Sequence, residues 1–277
     1  MGKQTATGSW IVAIIVVAAL VAAGVYLARK AMQAAAPSPA APAASASASS
    51  PAPATSAIRH PIGQAVPAAA STAALPALDD SDASVAAALI ALAGGSDLSS
   101  LLVGRQLVTH IVTTVDALPR HDGLGQFTLP VQPPKGAFAV DQAGGASVLG
   151  AANAARHAPY MRVVDAVDPQ ALVAWYVHAY PLFQQAYRQL GYPRGYFNDR
   201  LIVAIDDMLA APEPAEPPAL RRSDVYYVYA DPALESLSTG QKLLLRSGPA
   251  DEARIKARLR AIRDLLIGQA LPGTSTH

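Results

Sequence analysis

The residues best suited to binding chemistry lie in one short segment, residues 191–201, whose sequence is GYPRGYFNDRL. Tyrosine hydroxyls need hydrogen-bond partners, and an arginine such as Arg200 pairs with carboxylates, either within the domain or on a ligand. Two neighbours also have structural explanations, because Asn198 is a good helix N-cap and Asp199 in a first helical turn complements the helix dipole. The segment therefore predicts either a binding loop or a capped turn between two helices.

Aromatic residues concentrate just before and within this segment. Eight of the sixteen aromatic side chains fall in residues 175–197. In a chain rich in alanine such rings supply much of the buried core, and their hydroxyls would also suit a platform for a glycan or a peptide. Four of them are spaced so that they share one face of a helix: Tyr176, Tyr180, Phe183 and Tyr187.

Standard catalytic signatures are absent from the chain. It contains no G-x-S-x-G, H-E-x-x-H, G-x-x-x-x-G-K-[ST] or G-x-G-x-x-G motif, and it has no cysteine. The six histidines include no i, i+4 pair that would indicate a metal site on a helix. We therefore predict no cofactor and no metal.

One enzyme hypothesis stays open beside a binding function. It is a hydrolase-like periplasmic enzyme that uses Asp199 and Arg200. Asp199 would act with His178 or Asp206 as acid and base.

The distribution of charge argues against a nucleic-acid-binding protein. Residues 1–74 carry a formal charge of +4, residues 75–237 carry −7 and residues 238–277 carry +4. The largest part of the chain is therefore acidic and would repel phosphate groups. We expect no nucleic-acid partner.

The segment from Trp10 to Leu27 has the length and composition of a membrane-spanning helix. It is 18 residues long without a charge, and Arg29 with Lys30 follows it. The sequence thus predicts an N-terminal tail at residues 1–9 and a transmembrane helix at residues 10–28, which would hold the protein in the inner membrane. A cleaved signal peptide is the alternative.

A small-xxx-small pair inside the predicted span, Ala18 and Ala22, also indicates possible self-association of the helix.

Residues 29–74 have the composition of a disordered linker. Between residues 34 and 74, 32 of 41 residues are Ala, Pro or Ser, and a segment of this kind cannot bury enough apolar surface to build its own core. Pro/Ala-rich tethers suit the bacterial cell envelope, so we expect the domain that follows to lie in the periplasm. The reversed, cytoplasmic topology is the alternative, because the flanking charges do not decide the orientation.

The remaining chain predicts a globular, mainly α-helical domain over residues 75–267, with a disordered tail at 268–277. Helix signals recur at short intervals, while strand signals are limited to a hairpin around residues 137–149 and a short strand near residues 225–229. The predicted fold class is therefore mainly α with a small β element, preceded by one transmembrane helix and a disordered linker. Three helix starts carry specific capping patterns: Asp168-Pro169, Asp231-Pro232 and the capping box Ser238 to Gln241.

Three stretches of this domain resemble an uncharacterised family of proteobacterial single-pass membrane proteins. They are LPALDDSD (75–82), YPLFQQAYRQLGYPRGYFNDRL (180–201) and YADPALESLSTGQKLLLRSGPADEARIKARLRAIR (229–263). The resemblance implies no activity, since the family is a domain of unknown function. It implies that certain residues belong to the family's characteristic pattern, and we take nine of these as candidate binding residues: Tyr192, Tyr196, Phe197, Asn198, Asp199, Arg200, Gln241, Lys242 and Arg246.

Together these observations predict a membrane-anchored envelope protein of unknown biochemical activity. The anchor, the long linker and the lack of catalytic signatures favour a tethered binding or adaptor domain. Its expected partner is a protein or a polymer of the cell envelope.

Overall fold

The computed structural model describes residues 57–69, 71–121, 129–223 and 226–269. Within these ranges the chain forms helices that surround one buried helix, with a small antiparallel sheet beside them. The helices are α1 (Asp82–Leu92), α2 (Ser96–Leu101), α3 (Leu107–Ala117), α4 (Asn153–Ala166), α5 (Pro169–Gln189), α6 (Phe197–Leu209), α7 (Pro232–Glu235), α8 (Thr239–Ser247) and α9 (Pro249–Leu266). The strands are β1 (Val140–Ala143), β2 (Ala146–Leu149), β3 (Ala219–Ser223) and β4 (Tyr226–Tyr229).

Local capping determines where several helices begin. The Asp168 carboxylate accepts a hydrogen bond from the Gln170 backbone N–H at the start of α5, and Asp231 does the same for Ala233 at the start of α7. At α8, the side chains of Ser238 and Gln241 each bind the other's backbone N–H. These contacts satisfy N–H groups that have no partner inside a helix. The three capping predictions are confirmed.

Helix α5 is the centre of the domain. It contacts α3, α6 and α9, and its side chains are buried on most of its circumference. A helix that is buried all round belongs to a core rather than to a surface. The aromatic side chains predicted to share one face are all buried here, so packing accounts for Tyr176, Tyr180, Phe183 and Tyr187.

The four strands form one sheet in the order β1-β2-β3-β4, and every pair is antiparallel. The hairpin β1-β2 turns at Gly144-Gly145, both with positive φ, which suits glycine. Strand β2 then pairs with β3, where Ser147 lies opposite Leu220. A small apolar cluster under the sheet contains Leu220, Tyr229 and Leu245.

Two parts of the predicted fold class need correction. The β element is larger than a hairpin and a separate strand, because β3 and β4 join the hairpin to make a four-stranded sheet. The structure also shows no transmembrane helix: over the described ranges no helix is both long and apolar enough to cross a bilayer. The segment Trp10 to Leu27, to which the span was assigned, lies outside the described residues, as does the predicted tail from residue 270 onward.

A buried histidine makes the stability of this fold depend on pH. His157 on α4 is 2% exposed, and burial lowers its pKa from 6.5 to about 4, helped by nearby Arg156. The unfolded chain therefore takes up the proton first. His157 therefore costs no stability well above pH 6.5, and it lowers stability as the pH drops towards 4, by about 2 kcal/mol at pH 5.

We expect urea unfolding at pH 7.5 and pH 5.0 to show this loss in the wild-type protein, with His110, whose pKa burial also lowers, adding in the same direction. His157→Asn should reduce the loss by about 2 kcal/mol. The exposed His121 supplies the control, because His121→Asn should leave the pH dependence as it is. An equal loss in the His157 variant and the wild type would contradict the prediction.

Candidate functional site

Residues 58–66, here called the strap, lie against the helical domain near the start of α6. The contact rests on Asp199, in the first turn of α6, whose two carboxylate oxygens each accept one backbone N–H. Oδ2 accepts from Arg59 at 3.1 Å and Oδ1 accepts from His60 at 2.7 Å. One side chain thus holds two consecutive amides of the strap, just ahead of the short 3-10 helix Ile62–Gln64.

Two further side chains from the start of α6 extend this contact. The Tyr196 hydroxyl accepts the Ile62 backbone N–H at 2.7 Å, and Asn198 Nδ2 donates to the His60 carbonyl at 2.8 Å. Asn198 is fully buried, and its Oδ1 has no hydrogen-bond partner among the described residues. We call Tyr196, Asn198 and Asp199 the slot. All four of its hydrogen bonds go to main-chain atoms of the strap.

The other end of the strap is held at the end of α9. The Val66 backbone N–H donates to the Leu265 carbonyl at 2.9 Å, and Ala65 is buried in the main core. Gly268 lies against this part of the strap with a φ of +84°, and a Cβ there would lie 2.8 Å from the Gln64 carbonyl oxygen. Glycine is therefore required for the close approach. The strap has two anchor points, one at α6 and one at α9.

Gln184 on α5 positions the slot through hydrogen bonds to the turn before α6. Its Oε1 accepts the Phe197 backbone N–H at 2.9 Å and the Tyr180 hydroxyl at 2.7 Å, while its Nε2 donates to the Gly195 carbonyl at 2.8 Å. A single buried amide thus fixes the turn before α6 and the first residue of that helix. Burial of Gln184 without these three partners would be costly.

Close packing of aromatic rings fixes the same turn from the side. The Tyr187 and Tyr192 rings stack with centroids 4.6 Å apart, and a Cβ on Gly195 would lie 2.7 Å from the Tyr187 ring. The Tyr180 and Tyr196 rings lie 5.4 Å apart. Glycine at position 195 is therefore explained by space rather than by a positive φ.

The hydroxyls of Tyr176 and Tyr180, which lie next to the slot, stay protonated at physiological pH. Burial raises the pKa of Tyr180, and the Tyr196 hydroxyl adds to the rise. Burial also raises the pKa of Tyr176 well above its usual value. A protonated Tyr180 hydroxyl donates to Gln184 Oε1. This bond holds the amide oxygen on the side where it also accepts the Phe197 N–H.

Arg200 points away from the slot and pairs with a carboxylate inside the domain. Its Nε donates to Asp116 Oδ1 at 2.9 Å, and its Nη2 donates to the Asp116 carbonyl. Arg120 binds the other oxygen of Asp116, and the Tyr192 hydroxyl donates to that oxygen at 3.2 Å. Of the two explanations for Arg200, the internal ion pair is the one observed. This cluster joins α3 to α6.

Of the predicted binding residues on α8, Gln241 joins that helix to α6. Its Nε2 donates to the Asp207 carbonyl at 3.0 Å, and the Ser238 hydroxyl donates to the Asp207 carboxylate. Burial raises the pKa of Asp207, although the bond from Ser238 opposes the rise. Gln241 therefore completes a capping box and a helix-to-helix contact with the same side chain.

Lys242 and Arg246 lie at the free edge of strand β4. Arg246 Nη2 donates to the Tyr227 carbonyl at 3.3 Å, and Glu235 Oε2 accepts the Tyr229 backbone N–H at 2.9 Å. Lys242 Nζ holds Glu235 in place through its carbonyl, at 2.9 Å, and its carboxylate, at 3.4 Å. Unpaired main-chain groups of an edge strand invite pairing with another chain. These side chains occupy two such groups on β4.

Three residues of the enzyme hypothesis, Asp199, Arg200 and Asp206, bind different parts of the domain. Asp199 binds the strap, Arg200 binds Asp116, and Asp206 pairs with Arg263 on α9. Asp199 and Asp206 are seven residues apart on one helix, roughly 10 Å along its axis. Within the described residues, no group of three His, Asp or Glu side chains is arranged to hold a metal ion.

The structure thus places the nine predicted binding residues in three arrangements. Tyr196, Asn198 and Asp199 bind the strap, and Phe197 is fully buried between them. The remaining residues bind other parts of the domain: Tyr192 and Arg200 meet Asp116, and Gln241, Lys242 and Arg246 lie at α6 and β4.

Sequence reasoning missed Gln184, Asp116 and the strap itself. The available signal for Gln184 was its spacing, because it lies four residues after Tyr180 and three before Tyr187, on the face of α5 that carries these rings.

Comparison with known proteins identifies a family for most of this domain. Residues 107–263 match the model of a family described as a protein of unknown function, DUF3014. No curated protein and no solved structure matches the chain. The matched region contains the slot, whereas the strap precedes it.

Proposed function

The chain belongs to the DUF3014 family, whose description states no activity, and we propose from the geometry of the slot that its domain is a peptide-binding adaptor. The slot binds the main chain of a peptide segment, and in this chain the strap occupies it. The observation that carries the proposal is the Asp199 carboxylate, which accepts two consecutive backbone N–H groups.

Main-chain recognition of this kind is suited to binding segments from other proteins. The slot makes four hydrogen bonds to the strap, and each of them ends on a backbone atom rather than on a strap side chain. Hydrogen bonds to a charged carboxylate are stronger than neutral ones, at about 1.5–3 kcal/mol each. Main-chain bonds supply affinity in other peptide-binding modes, while side-chain pockets supply selectivity.

The strap has the properties of an exchangeable occupant. Arg59, Pro61 and Val66 are exposed, and within residues 58–66 only Ala65 is fully buried. Segments with few buried apolar contacts open at low free-energy cost. A partner segment would compete with the strap, whose effective concentration at the slot is high because it is part of the same chain.

We also propose where and with what this binding takes place. The apolar run at residues 10–27 and the Ala/Pro/Ser-rich residues that follow favour the inner membrane, with the domain in the periplasm. The partner is then a protein of the cell envelope that presents an accessible peptide segment. A cell-envelope polymer is supported less, because the slot binds consecutive amide groups.

The proposal is tested on the full chain after the strap has been removed from the slot. In the released variant, Arg59→Pro and His60→Pro delete the two N–H groups that Asp199 accepts, and Ala65→Asp expels the buried residue at the second anchor. The chain has no cysteine, so Ala57→Cys carries a single spin label that reports the release by electron paramagnetic resonance. The label should be mobile in the released variant. It should stay immobilised in the control Arg59→Ala/His60→Ala, which keeps both N–H groups.

A fluorescent peptide with the sequence of residues 57–66 should bind the released variant. It should bind wild type about tenfold more weakly, because there it must displace the strap. Adding Asp199→Ala should weaken binding to the released variant about tenfold or more, since two charge-assisted bonds are lost. Asp206→Ala, on the same helix, should leave it unchanged. Absence of peptide binding to the released variant, or equal binding with and without Asp199, would overturn the proposed function.

A further inference from the structure

On the premise of the proposed function, we infer that the slot selects segments with proline at the third position, an aliphatic residue at the fourth and a small residue at the seventh. In the strap the fourth to sixth of these residues, Ile62–Gln64, form one short 3-10 turn. Numbering starts at the residue whose N–H binds Asp199 Oδ2, which is Arg59 in the strap. The strap from Arg59 to Ala65 reads RHPIGQA. Each position follows from what the domain demands of the backbone or the side chain there.

Positions one to four are distinguished by their N–H groups. Arg59 and His60 donate to Asp199, and Ile62 donates to Tyr196. The third position is the one whose N–H the slot does not use, and Pro61, which has no N–H, stands there with φ −58° and ψ 132°. Proline also biases the preceding residue towards an extended conformation, which suits the two amides that Asp199 holds.

The fourth and seventh positions are defined by burial. Ile62 is half-buried and packs against the main core, so an aliphatic side chain is favoured at position four. Ala65 is 7% exposed and belongs to that core, so position seven takes a small side chain. A larger one would have to displace packed neighbours.

The first and fifth positions carry no such demand. The Arg59 side chain is exposed. At Gly63 the φ is ordinary, and a Cβ would meet no atom within 4 Å. Side-chain selectivity therefore lies at positions three, four and seven. Positions one and two must keep a backbone N–H for Asp199, so proline is excluded there, and position five accepts a residue with a Cβ.

Within residues 29–74, only one stretch has the residues that the third and fourth positions favour. Residues 29–74 contain seven prolines, and only Pro61 precedes a large aliphatic residue. The other Ala/Pro/Ser-rich stretches therefore lack the fourth-position contact. The selected partner is a proline-containing segment of an envelope protein rather than any alanine-rich linker.

The test titrates the released full-chain variant with a panel of fluorescent peptides based on residues 57–66. The peptide changes His60→Pro, Ile62→Asp and Ala65→Leu should each weaken binding at least tenfold, and Pro61→Gly should weaken it about fivefold because the free peptide becomes less restricted. The matched changes Arg59→Ala and Gly63→Ala should alter it by less than threefold.

The results separate the selectivity from the function on which it rests. Equal binding of all peptides would overturn the selectivity and leave the peptide-binding function intact. Binding by none of them would overturn both. Weakening by Gly63→Ala as large as that by Ile62→Asp would contradict the assigned register.

Discussion

Lys256→Met should lower the free energy of unfolding by roughly 3–5 kcal/mol, the usual cost of breaking a buried ion pair. Lys256 on α9 is 1% exposed, and its ammonium group lies 2.9 Å from a carboxylate oxygen of Glu252, which is 2% exposed. It also donates at 2.7 Å to the Ala211 carbonyl and to Glu213. Methionine fits the space but leaves Glu252 without its cation.

Two variants and a change of pH identify the cause of this loss. Burial raises the pKa of Glu252, and Lys256 opposes the rise. Without Lys256 that carboxyl prefers to be protonated, so the difference from wild type should shrink as the pH is lowered. Lys256→Met/Glu252→Gln should recover most of the stability, and Lys135→Met, at an exposed lysine, should cost little. Urea unfolding measures all of these. A full loss that persists in the double variant would contradict the ion-pair explanation.

Gln184→Leu should destabilise the domain by about 3 kcal/mol and loosen the slot as well. The change removes the Gln184 partner of three groups: the buried Phe197 N–H, the half-buried Gly195 carbonyl and the buried Tyr180 hydroxyl. Since the first two belong to the turn that carries Tyr196, the strap should be released more easily. A spin label at Ala57→Cys should then become more mobile below the unfolding transition.

The neighbouring residue gives a matched control for this prediction. Gln185 is on the same helix and is exposed, so Gln185→Leu should leave both stability and label mobility near wild type. Urea unfolding and electron paramagnetic resonance measure the two effects separately. A stable Gln184 variant with an immobilised label would show that this amide does not organise the slot.

Short-range patterns in the sequence predicted the helix starts, and long-range pairing explains what they could not predict. The caps at Asp168, Asp231 and Ser238 each act within three residues, so the sequence alone reveals them. Arg200 and its partner Asp116 are 84 residues apart, and Ser147 of β2 pairs with Leu220 of β3. Only the packed fold brings such residues together.

The strap shows a second reason why sequence reasoning was incomplete. The composition of residues 29–74 indicates a segment that cannot build a core of its own. It does not indicate whether the backbone of such a segment binds to an existing domain. Here the His60 backbone N–H donates to Asp199, which lies 139 residues further along the chain. No side-chain pattern in the strap predicts that hydrogen bond.

The pattern residues around Tyr196 consequently have two roles. Tyr192 and Arg200 bind Asp116 and hold α6 against α3, while Asn198 and Asp199 face the strap. One short segment therefore contains residues that fix α6 to the domain and residues that bind the strap. Binding sites built on rigid, well-packed elements hold their geometry more precisely than sites on free loops.

Amide hydrogen exchange in the full-length protein tests the central claim most directly. If the slot holds the main chain of the strap, the Arg59, His60 and Ile62 amides exchange slowly in wild type. In Asp199→Ala the first two should exchange at the rate of a free peptide, while the Asp206→Ala control keeps them protected. Rapid exchange of these amides in wild type, or protection that survives the loss of Asp199, would contradict the account.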